Sequence, residues 1–280
     1  MATVVSMINM KGGVGKTTLT FNLAWYCACK ANLRVLAVDL DPQSNLSQYF
    51  LGEIKYQNYI LDNDNQKTIV DIFERFTPER KFQPEDVIKI HNDEWEDRGL
   101  IDLIPCTLEL NKTLKNPTSK AERLKKFLDQ LDDKYDLIII DCAPTDSILT
   151  TAAYFASDHL IIPVKPEFLA KIGLPLLRKS LMEHYEDYDN NAKISGIIFT
   201  GNKKNSSTSQ KEVSKDVISF AINYGYYVFK NEFYHSDFYP SSSKDAKPIF
   251  MVDRVQTQVE EQLYQVGEEF LEVIGLLGLQ

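Results

Sequence analysis

The sequence predicts an α/β fold, a mostly parallel twisted sheet flanked by helices, on three observations. Short apolar, β-branched runs alternate with longer stretches of helical periodicity, the order expected when crossover helices cover a parallel sheet. Runs such as Leu137-Ile138-Ile139-Ile140 are continuously apolar, as in central strands buried on both faces. The chain has 280 residues, 44% hydrophobic and 25% charged, so one domain spanning 1–280 can bury a sizeable core. In order, a strand is expected at 3–9, then a glycine-rich loop and a helix over 16–30. A strand at 34–39 runs into Pro42, which cannot continue a ladder. Residues 53–98 carry 12 acidic and 7 basic side chains and are rich in Asn, Asp and Gln, which predicts an elaborated surface segment containing a helix at 68–76. A strand at 100–105 follows, then a helix at 119–132 whose start is signalled by Thr118-Ser119 with Glu122. Strands at 136–141, 159–164 and 194–200 alternate with helices at 146–156 and 167–185. Helices at 207–224 and 254–276 complete the chain.

Bulk properties exclude several classes. The net charge of −9 rules out a polycation that coats nucleic acid, although a local basic face is compatible with it. Cys27, Cys29, Cys106 and Cys142 lack C-x-x-C spacing, which argues for reduced thiols in a cytosol rather than a zinc site or disulfide framework. No signal-type segment and no run of 18 apolar residues is present, so a cytoplasmic protein is expected.

The densest motif is Met10-Lys11-Gly12-Gly13-Val14-Gly15-Lys16-Thr17-Thr18. A strand, a glycine-rich turn and a helix N-terminus in this order suit phosphate binding, because glycines let backbone N–H groups turn inward and the helix end adds partial positive charge. Lys16 would reach the β/γ-phosphates, and the Thr17 hydroxyl would ligate Mg²⁺. The general pattern G-x-x-x-x-G-K-[ST] fails at Met10, and Lys11 follows instead. This resembles the deviant Walker A loop of the ParA/MinD group of P-loop ATPases, in which the first lysine is the signature. The resemblance implies a P-loop fold and ATP with Mg²⁺ as ligands.

Two acidic strand ends complete the set. Val38-Asp39-Leu40-Asp41-Pro42 and Ile140-Asp141-Cys142-Ala143-Pro144 present Asp41 and Asp141 where strands of an open α/β sheet form their ligand crevice. Asp141 after four apolar residues is a Walker B arrangement, which holds Mg²⁺ directly or through water. By the resemblance, Asp41 orients the attacking water and Asp39 supports the magnesium shell. Lys11 would reach the phosphates bound by a facing subunit, much as an arginine finger does. A homodimer enclosing two ATP molecules is implied by the resemblance alone.

The resemblance covers most of the chain. Val164-Lys165-Pro166-Glu167-Phe168-Leu169-Ala170-Lys171-Ile172-Gly173-Leu174, Val228-Phe229-Lys230 and Lys247-Pro248-Ile249 look like ParA/Soj segments, whereas Phe233-Tyr234-His235 stands where that family often has Ile-Pro-Arg. Asn202 is a candidate for reading adenine through its amide; a loop-forming asparagine is the other reading. MinD-like members insert a basic amphipathic helix into membrane, but residues 255–280 carry five Glu and no Lys or Arg. Anionic lipid would repel such a helix, and Val259, Leu263, Val266, Phe270 and Val273 suit docking on the body instead. Lys203, Lys204, Lys211, Lys215 and Lys230 face only Glu212 and Asp216 within 203–230, a basic window open to nonspecific DNA or to solvent. An iron–sulfur branch of the superfamily needs paired cysteines that Cys106 and Cys142 do not supply. The phosphate loop begins at residue 10 with no obvious helix-turn-helix ahead of it, so autorepression at a specific operator is not expected. The ParA/Soj branch, including carboxysome-distributing McdA-like members, implies an ATPase that partitions cargo. Such an ATPase sits on the nucleoid when ATP-bound and answers to a ParB-like or McdB-like activator. The alternative is a MinD-like surface-positioning ATPase that does not bind DNA.

Overall fold

The computed structural model describes residues 1–61, 67–74, 82–90, 99–188, 192–201, 207–239, 245–252, 255 and 257–278. Among them seven strands form one sheet: β1 (Thr3–Met7), β2 (Val35–Leu40), β3 (Ile88–Ile90), β4 (Ile101–Ile104), β5 (Leu137–Cys142), β6 (His159–Val164) and β7 (Lys193–Phe199). Their spatial order is β3-β4-β2-β5-β1-β6-β7. Neighbours run parallel except β3 and β4, which are antiparallel. The six expected strands are all present; the three-residue edge strand β3, inside the acidic segment, is additional.

The α-helices among the described residues are α1 (Lys16–Cys29), α2 (Asn45–Leu51), α3 (Glu53–Leu61), α4 (Ile69–Phe73), α5 (Asn111–Lys115), α6 (Arg123–Leu128), α7 (Ile148–Ala156), α8 (Ala170–Asp187), α9 (Thr208–Tyr224) and α10 (Thr257–Val273). Strand side chains alternate between two cores, as the pleat requires. Leu36, Val38, Leu40, Ile138 and Ile140 pack with α4, α6, α7, α8 and α9. Val35, Ala37, Leu137 and Ile139 pack with α1, α2 and α10. That two-sided burial explains why β2 and β5, buried along their whole length, lack a polar face in the sequence.

Three local expectations are corrected. The helix expected over 119–132 begins only at Arg123, because Ser119 takes a left-handed φ of 59° that a helix cannot include. Glu122, not Thr118 or Ser119, occupies the N-cap, and no side chain caps it. The helix at 68–76 ends at Phe73, since Glu74 is extended and its carboxylate accepts from Thr113 and Lys120. Helices α2, α3 and α5 were not foreseen.

The C-terminal helix is docked as its apolar spacing implies. Leu263, Val266 and Phe270 are buried, and Val259 and Val273 pack against the same core. Its anchor is polar: the Glu269 carboxylate accepts from Tyr227 Oη at 2.7 Å, Lys230 N–H at 2.6 Å, and the backbone and side-chain N–H groups of Asn231 at 2.9 and 2.8 Å. Burial pushes the Glu269 pKa up, but these donors outweigh it and hold the group below the usual range. Glu269→Ala leaves several part-buried donors without their acceptor, at a cost of about 3 kcal/mol. A thermal melt should show Tm falling by roughly 6–12 °C.

Candidate functional site

The carboxyl ends of β1, β2 and β5 meet at one edge of the sheet. The loop after β1 enters α1 through Gly13 and Gly15, at φ 72° and 80°, the left-handed region where a Cβ is strained. One local and two long-range side-chain bonds brace it. Asn9 Oδ1 accepts the Lys11 N–H at 2.8 Å and Asn9 Nδ2 donates to the Pro163 carbonyl at 2.8 Å. Thr200 Oγ1 donates to the Val14 carbonyl at 2.7 Å. Sequence reasoning missed Asn9 and Thr200, whose roles depend on partners 154 and 186 residues away.

The two loop lysines behave differently. Lys16 is buried, and its Nζ donates to the carbonyls of Asn9 at 3.1 Å and Lys11 at 3.2 Å. Burial lowers the Lys16 pKa, opposed by the nearby Asp141 and Asp41. Lys11 instead pairs with Glu167 beyond β6, and Glu167 also meets Lys165 at 2.6 Å. These two cations hold the Glu167 carboxyl below its usual range.

Asp39 and Asp141 are register partners on adjacent strands, both with 0% exposure. Burial pushes Asp39 up to about 7, against the hydrogen bonds it accepts from Ser47. Burial and the neighbouring Asp39 push Asp141 up to about 8, against the Thr17 hydrogen bond and Lys16. Thr17 Oγ1 donates to Asp141 Oδ2 at 2.6 Å. Asp41 follows β2, and its Oδ1 accepts the Gln43 N–H at 2.9 Å. Gly12, Val14 and Thr18 lie within the same loop and first helical turn. Asn202, Lys203 and Lys204 lie outside the described residues.

This donor set fits a magnesium–triphosphate. Two buried carboxylates with raised pKa values mark a place short of positive charge. The Thr17 hydroxyl and Asp141 carboxylate are hard oxygen donors, and Mg²⁺ commonly takes one or two carboxylates and leaves the rest to phosphate and water. Among the described residues no group of three or more His, Cys, Asp or Glu converges as a metal cage. Cys27, Cys29, Cys106 and Cys142 are buried and form no disulfide. Phe233, at the departure from Ile-Pro-Arg, runs beside β7: its N–H donates to the Phe199 carbonyl at 2.8 Å and its carbonyl accepts from Gly201 at 2.9 Å.

A family model described as an AAA domain matches residues 2–194. The sporulation initiation inhibitor protein Soj of Bacillus subtilis is 31% identical over 209 residues, covering 71% of this chain and 73% of Soj. The chain belongs to the ParA/Soj/MinD family of P-loop ATPases. An ATP complex of a Cyanothece McdA variant superposes with a TM-score of 0.79 at 20% identity, covering 100% of this chain and 98% of that one. The ParA of pNOB8, bound to nonspecific DNA, does so with 0.71 at 22% identity over 98% of each chain. At those identities the likeness speaks to the fold, and it agrees with the mostly parallel sheet of this chain. In this ParA-family chain, Lys16→Gln removes the ammonium from the loop and should weaken ATP binding by about 100-fold or more, measured by titration with a fluorescent ATP analogue.

Proposed function

We propose that this chain is an ATP-driven positioning switch. Two copies close on two ATP molecules, the closed dimer holds nonspecific duplex DNA, and a partner of the ParB or McdB kind stimulates hydrolysis and release. The observation that carries the reading is the division between the loop lysines: Lys16 folds onto its own loop, while Lys11 reaches past it to pair with Glu167 beyond β6. An ammonium so placed suits phosphates bound by a facing subunit, where it would stabilise charge developing in the transition state.

The loop N–H groups and Lys16 bind the triphosphate; Thr17 and Asp141 hold Mg²⁺, with Asp39 behind them. When bound, the metal neutralises charge on the β- and γ-phosphates. Asp41 orients a water in line with the γ-phosphorus, whose bond to the bridging oxygen breaks to give ADP and phosphate. Asn202 is assigned to the adenine amide edge. Asp41→Ala should keep ATP binding within about threefold yet lower turnover by about 100-fold, read by phosphate release. Unchanged turnover would remove Asp41 from this role.

For DNA, Lys211 and Lys215 are exposed on α9 and Lys230 is exposed beyond it. Asp216 is ion-paired with Lys171 of α8, so that pair is neutral and Glu212 is the acid left to offset the other lysines of the window. The pNOB8 relative bound to nonspecific DNA supports this partner. Among the described residues no helix is long and apolar enough to cross a membrane, and the acidic α10 is packed on the core. Charge reversal of Lys211 and Lys215 to Glu should weaken duplex binding by about tenfold or more at 0.1 M salt. ATP turnover without DNA should stay unchanged. A gel shift with ATP and with ADP tests both parts, and equal shifts with the two nucleotides would contradict the switch.

A further inference from the structure

We infer that Ser47 is a positioning residue for hydrolysis, fixing through Asp39 where Asp41 stands; the inference rests on the proposed ATPase function. Ser47 lies in the first turn of α2 with 0% exposure. Its hydroxyl donates to Asp39 Oδ2 at 2.6 Å, and its N–H donates to the same oxygen at 2.8 Å. A hydroxyl has one proton to give. With that proton on Asp39, Oγ accepts, and it accepts the Cys106 N–H at 2.8 Å. One side chain therefore ties the end of β2 to the segment that follows β4.

The bonds continue to the hydrolytic turn. Asp39 Oδ1 accepts the N–H of Asp41 at 3.2 Å. The Asp41 carbonyl accepts the Ser44 N–H at 2.8 Å, and its Oδ1 accepts the Gln43 N–H at 2.9 Å. Ser44 itself turns the chain at φ 57°, so the turn depends on these bonds rather than on regular secondary structure. A path thus runs from Cys106 through Ser47 and Asp39 to the backbone of Asp41. The groups assigned to the phosphates, Lys16, Thr17 and the loop N–H groups, are not links in it.

Ser47→Ala breaks the path at two points, leaving the Cys106 N–H without its acceptor and Asp39 without one donor. A water-orienting carboxylate must be held to within about half an ångström, so the loss falls on turnover and not on nucleotide binding. The test compares kcat, KM and a directly titrated ATP-analogue Kd for the wild-type chain, Ser47→Ala, Ser47→Cys and Ser47→Thr. Ser47→Ala should lower kcat about tenfold with Kd within about twofold. Ser47→Thr, which keeps the hydroxyl, should restore kcat. If alanine unfolds the buried site, Ser47→Cys, close in volume and a poor donor, replaces it with the same expected loss. The inference is overturned by wild-type kcat in the donor-deficient variants, by an equal loss of nucleotide affinity, or by a threonine variant as slow as alanine. A wild-type chain without turnover overturns the ATPase reading and this inference together, whereas turnover unaffected by Ser47→Ala overturns the inference alone.

Discussion

Two carboxylates buried side by side, Asp39 on β2 and Asp141 on β5, set the terms for the rest of the site. The parallel register pairs them directly, and neither reaches solvent. Buried like charges are costly unless hydrogen bonds, cations or protons offset them. The chain surrounds Asp141 with Thr17 and Lys16, and Asp39 with Ser47 and the Asp41 N–H. These offsets leave both pKa values raised. In the proposed function, the magnesium ion of the nucleotide supplies the missing positive charge, so ligand binding and relief of this electrostatic cost are the same event.

The sheet delivers that arrangement with little help from the surface. Because β1, β2 and β5 lie together at the centre, the phosphate loop, Asp41 and Asp141 come to one edge without any long-range loop having to carry them. Helix α1 is buried along most of its length, so the loop ahead of it rests on a rigid element. Its Asn22 side chain accepts the Ile249 N–H at 2.9 Å, which ties the C-terminal segment to the same helix. The site is fixed by the core, while Lys11 and Glu167 at its rim are partly exposed.

Six strands and the phosphate loop were legible because each is written locally: apolar runs for strands buried on both faces, and glycine with lysine at fixed spacing for the loop. Asp41 and Asp141 were legible as the polar ends of such runs. The edge strand β3 was not, since three residues in a charged segment carry no periodicity. Helix α3 was hidden by the same polar composition, and the seven residues of α2 are too few to show a clear helical period. Thr118-Ser119 read as a helix start, yet Ser119 is left-handed in the fold, a choice made by tertiary context rather than by propensity. Asn9, Ser47 and Thr200 were invisible because a buried polar residue declares itself only through its partners. For Ser47 the nearest strand-crossing partner is Cys106, 59 residues along the chain.

In the proposed function, the site is completed only when the Lys11 side chains of two subunits cross to each other's phosphates. Sedimentation of the 32.1 kDa chain tests it most directly, using a slowly hydrolysed ATP analogue with Mg²⁺, ADP with Mg²⁺, and the Lys11→Ala variant with the analogue. The expected result is a dimer with the analogue, a monomer with ADP, and a monomer for Lys11→Ala that still binds the analogue. A chain that stays monomeric with the analogue, or a Lys11→Ala protein that dimerises as the wild type does, would contradict it.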